Sequence, residues 1–187
     1  MVIKKINAVL SLITVLFLAL HAGYVSYAYL TMYYNPFLTN LFAGLIMIPA
    51  SLHGILGMII VFLSSDGTRA DLYPKLNKLT VIQRVSAALI FPMLFIHVNT
   101  FNFFTKAAEA GKPGLFIPII ISEILIFGTV IIHAAVSFPK ALITMGWLGS
   151  VKGEKRIRII SLAVGGVLFV IACFAVIRGQ LIMFAGR

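Results

Sequence analysis

Long apolar runs alternate with short polar connections along this chain. Five runs, at roughly 7–30, 41–63, 82–104, 115–138 and 158–180, reach the length of about 20 helical residues that crosses a bilayer. They are continuously apolar rather than alternating, which argues against barrel strands. Isolated strands would also leave backbone polar groups unsatisfied in hydrocarbon, so the runs are expected to be helices. No charged residue occurs between Lys5 and Asp66. The first run opens on Lys4 and Lys5 and reaches small residues near Ala28, as a signal peptide does. A signal peptide's apolar core is only about 7–15 residues long, whereas here the apolar character runs from Ala8 to Leu30, so a retained helix is expected. Asn35-Pro36 breaks the chain after the first run. The charged connections are Asp66 to Arg84, Lys106 to Gly114 with Gly111 and Pro113, and Lys140 to Arg158. The apolar segment Ala141 to Leu148 can prolong the fourth span.

Composition narrows the class. The 187 residues are 61% hydrophobic and 11% charged, with a mean hydropathy of +1.08. Soluble domains carry about 25% charge, and disorder needs low hydrophobicity, so both are excluded. Cys173 is the only cysteine, which removes disulfide frameworks and thiolate metal clusters. The net charge of +10 would suit nucleic acid, but its distribution follows topology instead. Eleven of the 15 Lys and Arg residues, from Lys4 and Lys5 to Arg158, fall on one side of the five spans. Lys106, Lys112, Arg178 and Arg187 fall on the other. The positive-inside rule then puts the N-terminus in the cytoplasm and the C-terminus outside. Tyr24, Tyr27, Tyr29, Tyr33 and Tyr34 end the first span as an outer aromatic belt. The expectation is an all-α membrane protein, one domain over 1–187, with five transmembrane helices bundled in the cytoplasmic membrane and lipid around them. No nucleic-acid partner is needed.

His21, His53, His97 and His133 are the only histidines, one in each of the first four spans. Ionisable groups inside a membrane are costly and commonly functional; the plain alternative is four unrelated packing histidines. Depth sorts them. At 1.5 Å per residue, His21 and His97 both lie roughly 20 Å from the cytoplasmic edge, and His53 about 15 Å from it. His133 is nearer that edge. This groups an outer pair, His21 with His97, and an inner pair, His53 with His133. Two histidines facing each other across a bundle suit a low-spin haem, one nitrogen on each axial face. With both faces filled, oxygen has no site, and such a haem carries electrons. Gly23, Gly54, Gly57, Ala134 and Ala135 lie close to the histidines and leave room between helices, although small residues also serve ordinary helix packing.

Three segments then resemble a known family. Span two reads Ser51-Leu52-His53-Gly54-Ile55-Leu56-Gly57, a His-x-x-x-Gly helix. Span three carries Gln83-Arg84-Val85-Ser86 and, downstream, Phe95-Ile96-His97-Val98. Span four has His133 followed by Ala141-Leu142-Ile143-Thr144-Met145-Gly146-Trp147. In order and spacing this resembles the di-haem cytochrome b membrane anchor of succinate:quinone oxidoreductases and quinol:fumarate reductases, over roughly residues 10–150. The fifth span carries no motif, and the first matches only through His21 and its depth. The resemblance implies two haem b groups, the outer held by His21 and His97 and the inner by His53 and His133. It implies electron transfer between a membrane quinone, menaquinone by the same resemblance, and a cytoplasmic iron–sulfur subunit. That subunit would dock a flavoprotein subunit, where the dicarboxylate chemistry occurs.

Polar residues near the haem levels complete the expectation. Arg84 can pair with an inner-haem propionate or snorkel at the interface. Gln83, Ser51 and Ser86 are neutral donors of suitable depth. Glu123 is the only acid inside a span, about 15 Å outward of His133 on a straight helix. It is either a proton relay or quinone acid/base near the outer haem, or an ion-pair partner of Arg178. Asn99 and Asn102 either bond a quinone carbonyl or cap the bundle. Trp147 reads as a cytoplasmic interfacial anchor and Cys173 as a packing residue. Two other functions compete. The cytochrome b of a nitrate, formate or hydrogen enzyme would pair histidines on different helices. A small transporter or haem-free assembly factor would bind no haem, but the chain has neither paired transport charges nor an evident inverted repeat.

Overall fold

The computed structural model describes residues 2–63, 72–75, 77–109 and 116–185, the backbone alone at 101–102, 104–105, 107–109 and 183–185. Arg69, Gly111, Lys112, Pro113, Gly114, Arg187 and the acidic Asp66 lie outside the described residues, as does the side chain of Asn102. The described residues form five helices: α1 Val2–Thr31, α2 Pro36–Phe62, α3 Lys78–Glu109, α4 Phe116–Met145 and α5 Val151–Ala185. All five are long and apolar enough to cross a membrane. Large apolar side chains such as Ile48, Phe91, Phe95 and Val167 stand exposed along them. A surface so apolar belongs in lipid, and the chain is a multi-pass membrane protein.

Most of the helices outrun their apolar runs. Lys140 lies inside α4, Lys78 and Arg84 inside α3, and Lys152 to Arg158 inside α5. The connection expected over Lys140 to Arg158 is therefore only residues 146–150. The reason is that charge marks the edge of the hydrocarbon, not the end of the helix. A long Lys or Arg stem can stay helical and carry its charge to the interface.

Local chemistry sets the helix ends that the sequence punctuates. α1 stops with Met32 at φ 58°, a left-handed conformation that costs a non-glycine residue about 1–2 kcal/mol. Tyr24 offsets it by pinning the turn: its hydroxyl accepts from Asn35 N at 2.9 Å and donates to Asn35 O at 3.2 Å. Asn35 then caps α2, its Oδ1 accepting from Phe37 N and Leu38 N, with Pro36 at the first helical position. α4 ends on Gly146 at φ 80°. Gly146 N bonds Ile143 O at 3.0 Å and Trp147 N bonds Leu142 O at 2.9 Å, a paired closure that wants glycine at the left-handed position. Pro49, Pro92 and Pro139 sit within α2, α3 and α4. Each removes one ladder donor, a loss that membrane helices tolerate where neighbours re-satisfy the backbone.

α4 is the central helix. Glu123, Ile126, Ala135, Val136, Ser137, Pro139 and Ala141 are buried along it. The closely packed pairs are α1 with α2, α3 with α4, α4 with α5, α1 with α4 and α1 with α5. α1 and α4 thus form a spine, with α5 against both, α2 on α1 and α3 on α4. Neither α1 with α3 nor α2 with α4 is closely packed; they are the diagonals of the four-helix part. α5 seals its side through small residues, because helices in lipid associate by close packing rather than by hydrophobic gain. A Cβ on Gly165 would stand 2.6 Å from Ile131 Cγ2, and one on Gly179 would overlap the Tyr29 ring. Beside that contact, Gln180 Nε2 donates to the Tyr29 hydroxyl at 2.9 Å and Arg178 Nη1 to Leu30 O at 2.7 Å.

Candidate functional site: two histidine pairs on the diagonals

Each diagonal is bridged by a pair of histidines. His21 on α1 and His97 on α3 have ring centroids 6.3 Å apart, with an interplanar angle of 84°. His53 on α2 and His133 on α4 are 6.4 Å apart at 63°. A metal–imidazole bond is ~2.0–2.1 Å and a ring nitrogen stands ~1.2 Å from its ring centre, so two imidazoles on opposite faces of one iron have centroids ~6.4 Å apart. Both pairs therefore have the separation that one six-coordinate iron requires, on helices that do not otherwise close on each other.

Hydrogen bonds orient three of the four rings. His53 Nδ1 is 2.9 Å from Asn7 Oδ1 and 3.3 Å from Asn7 O. Both are acceptors, so Nδ1 carries the proton and donates. His133 Nδ1 lies 3.2 Å from Gln83 O and 3.1 Å from Ser86 Oγ; the carbonyl again requires a protonated Nδ1. His97 Nδ1 is 2.7 Å from Glu123 Oε2. With Nδ1 protonated, the Nε2 lone pair is left to coordinate, which is how ligating histidines are held in metal sites. Ser137 Oγ stands 3.5 Å from His133 Nε2, at the edge of hydrogen-bonding distance and too far to hold that atom firmly. His21 Nδ1 is buried without a hydrogen-bond partner among the described residues.

The two pairs occupy separate levels, between about 15 and 21 Å apart by helical rise on three helices. On α1, Asn7 marks the inner level by its bond to His53, and His21 follows about 21 Å along the axis. On α3, Ser86 touches His133 and His97 follows about 16 Å further. On α4, Glu123 touches His97 and His133 follows about 15 Å further. Next to His53 there is room: Gly57, one turn on and on the same face, has nothing within 4 Å of the position a Cβ would take. Among the described residues no three His, Cys, Asp or Glu side chains gather. Ring spacing at both levels, Nδ1 engaged in three of the four rings and room beside His53 fit the demands of bis-histidine haem ligation.

The other expected site residues fall in different places. Gln83 and Ser86 belong to the inner level and serve His133: the Gln83 carbonyl accepts from the ring and from Ser86 Oγ at 3.0 Å. The Gln83 side chain is engaged elsewhere, Oε1 accepting from Lys140 Nζ at 2.7 Å, while Thr80 Oγ1 takes a second Lys140 hydrogen at 3.1 Å. Arg84 is half-buried beside Gln83. Ser51 is exposed; two residues before His53, it points about 200° away from that ring, and it is not brought to the inner pair. Asn99 Nδ2 donates to Phe95 O of its own helix at 2.8 Å. Trp147 is exposed beyond the end of α4, and Cys173 is partly buried on α5. Glu123 does not pair with Arg178. Its carboxylate takes His97, and Thr100 Oγ1 donates to Oε1 at 2.5 Å.

Two participants escaped the sequence reading. Asn7 stands at the start of the first apolar run with no motif around it to mark it, although it is a polar residue at the inner level of α1. The His97–Glu123 contact was also missed. Its signal was present in the depths, since Glu123 lies 15 Å outward of the inner level by helical rise, which is the level of the outer pair.

No family model, curated protein or solved structure matches this chain.

Proposed function

We propose that this chain is the membrane-anchor cytochrome b subunit of a succinate:quinone oxidoreductase or quinol:fumarate reductase, with two bis-histidine haems. The observation that carries this reading is the pair of histidine bridges, 6.3 and 6.4 Å between ring centroids on the two unpacked diagonals, with Nδ1 engaged in three of the four rings. Bound there, haem b supplies one-electron transfer between a quinone, menaquinone by resemblance, and a soluble iron–sulfur subunit that docks a flavoprotein. The chain's own residues do the holding. His21 and His97 serve the outer site, and His53 and His133 the inner one. Asn7, Ser86 and the Gln83 carbonyl fix the inner rings, and the half-buried Arg84 at that level is the cation for a propionate. The surrounding apolar helices keep water out, which favours exchange of electrons over reaction with solvent species.

The charge distribution supports an orientation with the N-terminus in the cytoplasm and the C-terminus outside. On that orientation Lys152, Lys155 and Arg156, with Ile159 and Ile160 beside them, form a basic patch of α5 at the cytoplasmic end, on the side where the soluble subunits would meet the membrane. The test is a reduced-minus-oxidised spectrum of the detergent-purified chain with pyridine haemochrome quantitation. Two b haems per chain are expected. Absence of haem overturns the cytochrome reading and returns the histidines to packing roles.

A further inference from the structure

The outer and inner levels hold their histidines with different chemistry. His53 and His133 donate to neutral oxygens: an amide, a carbonyl and a hydroxyl. His97 faces a carboxylate at 2.7 Å. Glu123 is only 4% exposed, and its other oxygen is engaged by Thr100, itself 7% exposed, at 2.5 Å. Among the described residues no Lys or Arg forms an ion pair with it. Arg178, a cation at that end of the bundle, gives its Nη1 to the Leu30 carbonyl, with Tyr29 O at 3.5 Å. A buried carboxylate beside one ring and unshielded by a Lys or Arg ion pair acts strongly on that ring, because the surrounding dielectric is low.

We propose that Glu123 is a positioning residue for His97, whose carboxylate makes that ring a stronger electron donor and so lowers the reduction potential of the outer haem. The proposal rests on the haem reading above. Its physical basis is the carboxylate–histidine–metal arrangement. A carboxylate on Nδ1–H draws the proton towards itself, enriches the ring in electrons and fixes the ring's rotation, and an electron-rich axial ligand stabilises the oxidised iron. Thr100 holds the carboxylate in register one helical turn beyond His97, since residues three apart on a helix share a face. This assignment replaces the ion pair with Arg178 that depth alone allowed.

The experiment is a spectroelectrochemical titration of the haem-loaded full chain, wild type against Glu123→Gln. Gln keeps an oxygen for the His97 hydrogen bond and removes the charge; its NH2 takes the place of the oxygen that Thr100 bonds, and the Thr100 hydroxyl can turn its hydrogen to Ile96 O, 3.1 Å away, and accept from the amide. One of the two haem components is expected to move to higher potential by at least about 59 mV, the equivalent of a tenfold shift in a one-electron equilibrium, while the other stays in place. Unchanged potentials, or an equal shift of both components, overturn the proposal. A wild-type chain without haem overturns the cytochrome reading instead, so the two failures are distinguishable. If E123Q loads no outer haem, 15N NMR of the histidines in haem-free protein decides. The wild-type His97 Nδ1 proton is expected to be strongly deshielded and that signature lost in E123Q; an unchanged signal overturns the proposal.

Discussion

The inner and outer histidine pairs share a ring spacing and differ in what stands behind the rings. At the inner level both Nδ1 atoms donate to neutral acceptors, supplied by α1 for His53 and by α3 for His133. At the outer level one ring leans on a carboxylate and the other has a buried Nδ1 with no partner among the described residues. The spacing is therefore set by the backbone, through helices that leave two diagonals open. On the haem reading proposed above, the electronic character is set one layer out, by Asn7, Ser86, Gln83 and Glu123. Two sites of one geometry on one scaffold can be tuned separately, because the residues that hold the rings lie on different helices and about 15 Å apart along the axis.

The largest expected effects test whether the pairs are independent. Replacing His133 by Ala removes a ligand from the inner pair only, and replacing His97 by Ala removes one from the outer pair only. Each variant is expected to fall from two haems per chain to one by pyridine haemochrome, with the lost spectral component differing between them. Loss of both haems from either variant would break the comparison, since it would make the two levels one cooperative site.

Asn7 comes next. It is the only side chain bonded to His53 Nδ1 among the described residues, through Oδ1 at 2.9 Å. Substitution of such outer partners costs about 10–100-fold in metal affinity. Asn7→Leu should release the inner haem to apomyoglobin roughly tenfold or more faster than wild type, at the low end of that range, and leave release of the outer haem unchanged. Equal loosening of both haems would mean that Asn7 acts through the whole of α1, which carries His21 as well.

How much of this was legible in the sequence divides along the same line. Five spans, their order and the grouping of the histidines by depth follow from apolar run length and a fixed rise per residue, which are properties of single helices. The Asn35-Pro36 break is legible because capping is local. What a single helix does not encode is rotation. Ser51 and Ser86 look alike as small hydroxyl residues at suitable depth, yet Ser86 reaches His133 and Ser51 is exposed on the far face of α2. Glu123 and Arg178 are at compatible depths with opposite charges, but the packing of α5 through Gly179 carries Arg178 to the end of α1 instead. Helix ends were misread where Lys140 and Lys152 mark the interface while their helices continue through it.

The smallest expected effect is at Ser86, and its size follows from redundancy. His133 Nδ1 sees two oxygens, Ser86 Oγ at 3.1 Å and Gln83 O at 3.2 Å. The hydroxyl also spends its hydrogen on that same carbonyl at 3.0 Å. In Ser86→Ala the ring keeps its acceptor, and the carbonyl serves one donor instead of two. The net loss is at most that of one ordinary hydrogen bond, about 1 kcal/mol, or roughly fivefold in haem retention. No charge is removed, so the inner haem's midpoint should move far less than the outer one does in E123Q. Redox titration of the two variants side by side measures this difference. Comparable shifts would show that any change in the polar groups around a ring is enough, and would end the case that the carboxylate's charge distinguishes the outer level. A small shift in S86A beside a large one in E123Q leaves charge as the cause, because the protein has kept the hydrogen bond in both variants and lost the charge in only one.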